Sequence, residues 1–156
     1  MTEDHWLDEA IRLAYEYVAQ GGHPFGALVV SGEQLVAEGV NRTRQDEDPT
    51  AHAELLAIRA ACGRRHTLRL EDCLLVSSAE PCPLCQAAAV LAGIPRCIYA
   101  TPREEAATAG FDVGALAQEL SLPLEQRRLF VLEHRPVPFA RAPLDAWRMH
   151  GAHAVR

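Results

Sequence analysis

A helical segment between two strand-like apolar runs is the feature that most restricts how this sequence can fold. Residues 73–78 and 96–100 are apolar runs of strand length. Between them, residues 81–92 begin with prolines and are followed by Gly93, which is the pattern of a short helix. A strand, a helix and a strand in this order favour parallel neighbours in one sheet. The sequence therefore predicts an α/β protein with a parallel strand pair.

The N-terminal part of the chain predicts a helix and an antiparallel hairpin. Apolar side chains recur at helical spacing from Leu7 to Val18, and two glycines follow at positions 21 and 22. Residues 25–30 and 35–41 are apolar runs on either side of a Ser31-Gly32 turn. A hairpin beside a parallel pair makes the predicted sheet mixed.

The rest of the chain predicts further helices and one more strand. Thr50 is placed to cap a helix that runs to about Cys62, with Gly63 as its stop. Later elements are predicted as helices at 103–107, 114–120 and 144–150, and as a strand at 129–133. No repeat or linker interrupts the sequence, so we expect a single domain over residues 1–156.

Composition and charge narrow the classes of function. The chain has 156 residues, 49% of them hydrophobic, and a formal net charge of −6. This composition is typical of a globular protein, and the negative net charge differs from the positive charge of proteins that bind a nucleic-acid backbone. No apolar run has the length of a membrane span, and the acidic first nine residues do not resemble a signal peptide. We therefore expect a cytoplasmic protein that acts on a small molecule, without a nucleic-acid or membrane partner.

Three side chains with metal-binding chemistry lie at the starts of two predicted helices. His52 belongs to the first turn of one helix, and Cys82 and Cys85 belong to the start of the next. Two thiolates and one imidazole suit Zn²⁺. Three protein ligands leave the fourth coordination position open, which is the arrangement of a catalytic zinc and not of a structural one. The motifs predict one zinc ion per chain.

Glu54, two residues after His52, is the candidate proton carrier. Zinc makes water acidic near neutral pH, and a carboxylate can pass the proton of that water to a leaving amine. On an ideal helix, side chains two positions apart point roughly 200° apart. His52 and Glu54 can therefore act together only if the helix end faces the site. The combination of His-x-Glu with Pro-Cys-x-x-Cys indicates hydrolytic deamination.

Each motif alone also has simpler interpretations. Cys-x-x-Cys could be redox-active or half of a structural zinc site, and His-x-Glu is usually part of a helix surface. A structural site would need a fourth ligand, for which His23, His66 and His134 are available by type. A non-catalytic zinc module would have no use for Glu54, so the catalytic interpretation is favoured.

Longer segments carry a resemblance to a known family. They are PFGALVV at 24–30, DPTAHAELLAIRAAC at 48–62, the stretch at 77–85 containing EPCPLC, AGFD at 109–112 and DAWR at 145–148. On these segments the chain resembles the cytidine deaminase-like superfamily over nearly its whole length. Within it, the AGFD segment is similar to the nucleoside/guanine deaminase branch.

The resemblance implies an architecture, an assembly and a reaction. The fold would be a three-layer α/β/α sandwich around a five-stranded mixed sheet. The assembly would be a homodimer in which the C-terminal segment can cross to the partner subunit. The reaction would be the zinc-dependent conversion of guanine to xanthine and ammonia.

The resemblance also implies roles for residues outside the zinc motifs. Phe25 would wall the base pocket, and Asn41 would hydrogen-bond the edge of the base. The Ala53 N–H would contact a carbonyl of the base, and backbone groups near Ser78 and Cys82 would bracket the leaving amine. Asp112 would border the pocket. Simpler roles are also open, with Phe25 in the core, Asn41 ending a strand, Asp112 capping a helix and Glu80 as a solvated charge.

The choice of substrate rests on fewer residues than the reaction does. Many guanine deaminases continue Gly-Phe-Asp with a second Asp, and Val113 occupies that position here. This difference keeps cytosine, a nucleoside or an aminotriazine-like heterocycle as alternatives to guanine. A tRNA adenosine deaminase shares the zinc motifs, but the acidic balance of the chain disfavours it.

Overall fold

The structure is a computed structural model that describes residues 2–151. The chain divides into two compact units, Met1–Ser121 and Leu122–Arg156. The first unit consists of α1 (Glu3–Ala19), β1 (Gly26–Ser31), β2 (Gln34–Val40), α2 (Ala53–Arg65), β3 (Leu74–Ala79), α3 (Pro83–Leu91), β4 (Cys97–Thr101), α4 (Arg103–Thr108) and α5 (Gly114–Ser121). The single domain expected over residues 1–156 stays a prediction.

The sheet of the first unit has the order β2-β1-β3-β4. Strand β1 pairs antiparallel with β2 and with β3, whereas β3 and β4 are parallel and are joined through α3. Both the predicted hairpin and the predicted parallel pair are confirmed. The sheet is mixed, as the sequence indicated.

Helices cover both faces of this sheet, because alternate strand residues point to opposite sides. On one face, Trp6 and Ala10 of α1 pack against Leu28, Val30 and Val76. The other face carries a larger core, in which helices α2 and α3 pack on strands β1 and β3. Its members include Ala27, Val29 and Leu75 from the strands and Ala57, Ala61 and Ala89 from the helices. The first unit is therefore an α/β/α sandwich, as predicted.

Two glycines let the helices lie directly on the hairpin backbone. A Cβ at Gly26 would lie 2.7 Å from the Ala10 carbonyl oxygen of α1, and a Cβ at Gly39 would lie 2.3 Å from the Ala53 carbonyl oxygen of α2. No side chain other than hydrogen fits at such distances. The start of α2 therefore rests on strand β2 without an intervening side chain.

Helix α2 begins and ends later than the sequence pattern predicted. The predicted cap at Thr50 is wrong, because His52 is the N-cap and the helix begins at Ala53. The Asp48 carboxylate accepts hydrogen bonds from the Thr50 N–H (2.8 Å) and hydroxyl (2.7 Å), which holds this segment in a turn. The predicted stop at Gly63 is also wrong, since the helix continues to Arg65 and ends at His66 in a left-handed conformation with φ of 51°.

The fifth strand predicted by the resemblance, and placed by the pattern at residues 129–133, is not formed. The sheet has four strands, and no strand occurs within residues 122–151 of the second unit. Leu129, Phe130, Val131 and Leu132 are all more than half exposed. Their apolar pattern suits a strand, but strand structure requires a neighbouring strand to pair with, and the described part of this unit supplies none.

The described part of the second unit is mainly irregular. It contains a 3₁₀ turn at Leu124–Gln126 and α6 (Ala142–Ala146), which continues into a π-helical turn at Trp147–Gly151. The terminal helix predicted at 144–150 is thus confirmed with shifted bounds. Across residues 2–151, none of the helices has the length and apolar character that a membrane crossing requires.

Candidate active site

The three predicted metal ligands meet where α2 and α3 begin. His52 is the N-cap of α2, Cys82 is the N-cap of α3, and Cys85 lies in the first turn of α3. The Nδ1 atom of His52 is 3.4 Å from Sγ of Cys82 and 3.5 Å from Sγ of Cys85. Neither N-cap side chain caps its own helix, so both are available to a ligand.

The spacing of these three side chains fits zinc. Their ligand atoms all lie within 4.8 Å of one another. Tetrahedral zinc with Zn–S of about 2.3 Å and Zn–N of about 2.05 Å requires an S–N separation of about 3.5 Å. The two observed S–N distances, 3.4 and 3.5 Å, match that requirement. The donor set and its geometry therefore suit Zn²⁺ with a fourth position open.

The electrostatics of the cluster prepare one thiolate before any metal binds. The pKa of Cys82 is lowered to about 4, first because the Cys85 thiol donates a hydrogen bond to its sulfur and then because His52 does so. The same two interactions raise the pKa values of Cys85 and of His52. A divalent cation would take the place of the remaining proton on Cys85, since a metal binds the thiolate form.

Glu54 lies beside the cluster and is buried, with 7% of its surface exposed. One carboxylate oxygen accepts a hydrogen bond from the Ser77 hydroxyl (3.0 Å), and the other is 3.5 Å from Sγ of Cys85. His52 and Glu54 reach the same point because His52 has extended backbone angles (φ −74°, ψ 152°) outside the helix. The 200° separation of an ideal helix therefore does not apply to this pair.

Burial shifts the pKa of the Glu54 carboxyl. Loss of hydration raises the pKa of Glu54 above its ordinary value, and the hydrogen bond from Ser77 offsets part of the rise. A carboxyl with a raised pKa binds a proton more readily than a solvated one and can release it again. That is the property required of a general acid and base.

A cavity of about 280 Å³ opens from the metal cluster. His52, Glu54 and Cys82 line one end of it. The aromatic rings of Phe25 and Phe111 line another wall and meet edge to face, with centroids 4.9 Å apart. Cavities of this size hold small molecules, so the space suits one small aromatic heterocycle beside Glu54.

The structure brings three of the five predicted substrate residues into the cavity. Phe25, Asn41 and Asp112 line it, whereas the side chains of Ala53 and Ser78 do not. The Ser78 hydroxyl instead accepts a hydrogen bond from the Gly26 N–H (3.1 Å) and so links β3 to β1. The backbone roles expected near Ala53 and Ser78 stay predictions.

Two acidic residues at the cavity have structural partners. One oxygen of Asp112 accepts the Gly114 N–H (2.7 Å) at the start of α5, in agreement with the helix-capping alternative. Glu80 is not a solvated charge. One of its oxygens accepts the Arg103 N–H (2.9 Å), and the other is 3.2 Å from the Arg103 guanidinium. This pair ties the start of α4 to the segment that carries Cys82.

The sequence did not indicate four polar or aromatic residues of the cavity: Thr43, Arg103, Phe111 and, as a pocket residue, His23. Phe111 lies inside the AGFD segment, which could have identified it. His23 was considered only as a possible fourth zinc ligand, and it lies on the cavity wall with its ring centroid 5.2 Å from that of Phe111. Thr43 and Arg103 belong to no recognisable motif, so only the fold identifies them.

Comparison with known proteins agrees with this geometry. Residues 1–101 match the model of the family described as the cytidine and deoxycytidylate deaminase zinc-binding region. Guanine deaminase from Bacillus subtilis is 39% identical over 154 residues, which cover 95% of each chain. A tRNA-specific adenosine deaminase from Aquifex aeolicus is 38% identical over 99 residues, covering 64% of this chain and 66% of that protein.

A solved structure extends the likeness to the whole fold. The X-ray structure of guanine deaminase from Bacillus subtilis superposes with a TM-score of 0.90 at 38% identity, covering 97% of this chain and 96% of that one. The matched family region contains the His52, Cys82 and Cys85 cluster with Glu54 beside it. This chain therefore belongs to the zinc-dependent deaminase family of the cytidine and deoxycytidylate deaminase type.

Proposed function

We propose that this protein is a guanine deaminase, which converts guanine and water to xanthine and ammonia. The observation that carries the proposal is the near-complete match, in sequence and in fold, to guanine deaminase from Bacillus subtilis. The match to the tRNA-specific adenosine deaminase covers only about two thirds of the chain. The cavity of about 280 Å³ also supports a free base in preference to a larger substrate.

The metal cluster and Glu54 divide the chemistry between them. His52, Cys82 and Cys85 would hold the zinc ion, which would supply the Lewis acidity that makes water a nucleophile near neutral pH. Glu54 accepts one proton from the attacking water and delivers it to a ring nitrogen of the base. It then carries the second proton, from the hydroxyl that water has added to the ring, to the departing amine. Its burial supports this role, because loss of hydration raises the pKa of the carboxyl and so makes it a better proton acceptor than a solvated glutamate.

The remaining walls hold the base. Phe25 and Phe111 form an aromatic corner against which a planar ring packs. Asn41 is buried, and its side-chain oxygen is engaged by Thr43, which leaves the NH₂ group of the amide to donate to the edge of the base. The base would thus be held by ring contacts and by few polar groups.

Ammonia release from the zinc-loaded protein tests the proposal. The substrates are guanine, cytosine, cytidine, adenosine and an aminotriazine, at equal concentration. We expect guanine to have the largest kcat/KM. Glu54→Gln should lower kcat by a factor of at least about 100 while zinc content stays at one per chain. Glu16→Gln, an exposed glutamate on α1, is the matched control and should retain activity.

The same panel separates the alternatives. Turnover of another heterocycle without turnover of guanine would keep the reaction and reject the substrate, a result that the apolar Val113 on the cavity wall would explain. Inosine formation in a transcribed tRNA would favour tRNA editing. A zinc-bound protein that releases no ammonia from any compound would support a non-catalytic zinc module.

We also propose a cytoplasmic homodimer in which the segment after residue 121 contacts the partner subunit. The support is the exposure of large apolar side chains within residues 122–151: Leu129 70%, Phe130 63%, Val131 65% and Phe139 89%. Exposed apolar side chains in such number are typical of an interface. Sedimentation of the full chain, compared with a chain ending at Ser121, tests this assembly.

A further inference from the structure

His23 lies on the cavity wall and has no part in the chemistry described above. It is half-buried, with its ring against Phe111. The backbone fixes its place, because the Phe25 N–H donates to the His23 carbonyl (2.8 Å) and the Asn41 N–H donates to the Phe25 carbonyl (3.2 Å). The segment before β1 is thereby joined to the segment after β2.

A chain of hydrogen bonds links Asn41 to His23 through Thr43. The Asn41 side chain receives the backbone N–H of Thr43 at 3.1 Å. A backbone N–H can only donate, so the receiving atom is the amide oxygen. The Thr43 hydroxyl lies 2.8 Å from the same oxygen and donates its single hydrogen to it.

That chain determines which nitrogen of His23 carries the proton. The Thr43 hydroxyl oxygen is 3.4 Å from Nδ1 of His23. Because its hydrogen is already given to Asn41, this oxygen must accept, and Nδ1 of His23 must donate. In a neutral imidazole the other nitrogen, Nε2, is then a hydrogen-bond acceptor.

The other side chains on the walls away from the metal offer few acceptors. The oxygens of Glu80 are engaged by Arg103, and one oxygen of Asp112 is engaged by Gly114. Val113 is apolar, and Thr43 engages the Asn41 oxygen. Glu54 is occupied with proton transfer. On these walls, Nε2 of His23 and the second oxygen of Asp112 are therefore the side-chain acceptors that no described hydrogen bond engages, and a ring N–H of a bound base can donate to either.

We infer that His23 is a specificity-determining residue, which accepts through Nε2 a hydrogen bond from a ring N–H of the five-membered half of guanine. This half of the base points away from the amino-bearing carbon that reacts beside Glu54. The inference rests on the proposed function and adds to it the group that recognises the far edge of the base. Thr43 and Asn41 are positioning residues that set the tautomer of His23.

His23→Phe tests the inference, because it keeps an aromatic ring beside Phe111 and removes both nitrogens. We expect kcat/KM for guanine to fall by about 5- to 100-fold, mostly through KM, with zinc content unchanged. His23→Gln places an amide oxygen near the position of Nε2 and should recover part of the loss. His5→Phe is the matched control, since His5 is exposed on α1 and also contacts an aromatic ring, that of Trp6.

Methylated substrates provide a second, independent measurement. We compare guanine with 7-methylguanine and 9-methylguanine, in which a methyl group replaces one ring N–H. Neither methylated base keeps an N–H on its five-membered ring, so the wild type should discriminate against both, and His23→Phe should lose that discrimination. Thr43→Val, which removes the hydroxyl alone, should change discrimination in the same direction, and Thr43→Ser should restore it.

The outcomes separate the inference from the proposed function. Absence of guanine turnover in the wild type would overturn the proposed function and the inference with it. Guanine turnover that is equal in His23→Phe and His5→Phe, with discrimination between methylated bases unchanged, would overturn the inference alone. A loss in His23→Phe that His23→Gln partly recovers supports it.

Discussion

The metal end of the cavity and its outer wall are built in different ways. The metal end, formed by His52, Glu54, Cys82 and Cys85, is held by two helix starts and lies almost wholly inside the protein. Cys85 is fully buried, and Glu54 and Cys82 are each 7% exposed. The outer wall, residues 103–113, consists of the short helix α4 and an irregular segment with partly exposed side chains. We expect the metal end to specify the reaction, and His23, Phe25 and Asn41 to specify the substrate together with the outer wall.

Removing one metal ligand should give the largest effect and test the metal end directly. Cys85→Ala leaves two ligands, so zinc should be lost and kcat/KM for guanine should fall by about a thousand-fold or more. Zinc content and ammonia release measure the result. Cys62→Ala, a half-buried cysteine outside the cluster, is the control. Full activity of the metal-free Cys85→Ala protein would contradict a catalytic metal.

The close contact beneath the metal end should be the next most sensitive point. Gly39→Ala would force a methyl group to within 2.3 Å of the Ala53 carbonyl and 2.7 Å of the Ala57 nitrogen, both backbone atoms. We expect a loss of about 2–3 kcal/mol in the free energy of unfolding and a parallel loss of zinc affinity. Urea unfolding and zinc titration provide the measurements.

Gly63→Ala is the matched control for that substitution. Gly63 lies within α2, and no atom lies within 4 Å of an added Cβ. This change should stabilise the protein by about 0.5–1 kcal/mol, since alanine favours a helix over glycine. Equal effects of the two substitutions would show that helix α2 does not depend on its contact with β2.

A substitution between the metal end and the outer wall should affect substrate binding more than the chemical step. Glu80→Ala removes the acceptor of the Arg103 N–H and the partner of the Arg103 guanidinium. The start of α4 is then no longer bonded to the segment that carries Cys82. We expect KM for guanine to rise about three- to ten-fold with little change in kcat. Glu80→Gln keeps an acceptor for the N–H and should show a smaller rise. A fall in kcat alone would assign Glu80 to the chemical step.

The smallest effect is expected on the outer wall itself. Asp112→Ala removes the acceptor of the Gly114 N–H at the start of α5 and should lower the free energy of unfolding by about 0.5–1 kcal/mol. Asp112→Asn keeps the acceptor and should be nearly neutral. If Asp112→Asn instead lowers kcat/KM more than ten-fold, Asp112 binds the substrate as the resemblance implied.

Local patterns predicted the metal end, because its residues belong to contiguous motifs at helix starts. They also predicted the hairpin and the parallel pair, because the apolar runs of these strands remain recognisable in the sequence. They placed the cap of α2 at Thr50, since the competing hydrogen bonds to Asp48 could not be recognised from residue type alone. Thr43 and Arg103 remained unrecognised because their neighbours in the cavity are distant in sequence.

The placement of His52 and Cys82 as the N-caps of α2 and α3 has an electrostatic consequence. The N-terminal ends of both helices carry partial positive charge from their aligned peptide dipoles, and both face the same small volume. This fixed potential favours thiolate over thiol and also favours the negative charge that develops on a ring as water adds to it. Because the potential comes from backbone and not from side chains, point substitutions in the cavity wall would leave it in place.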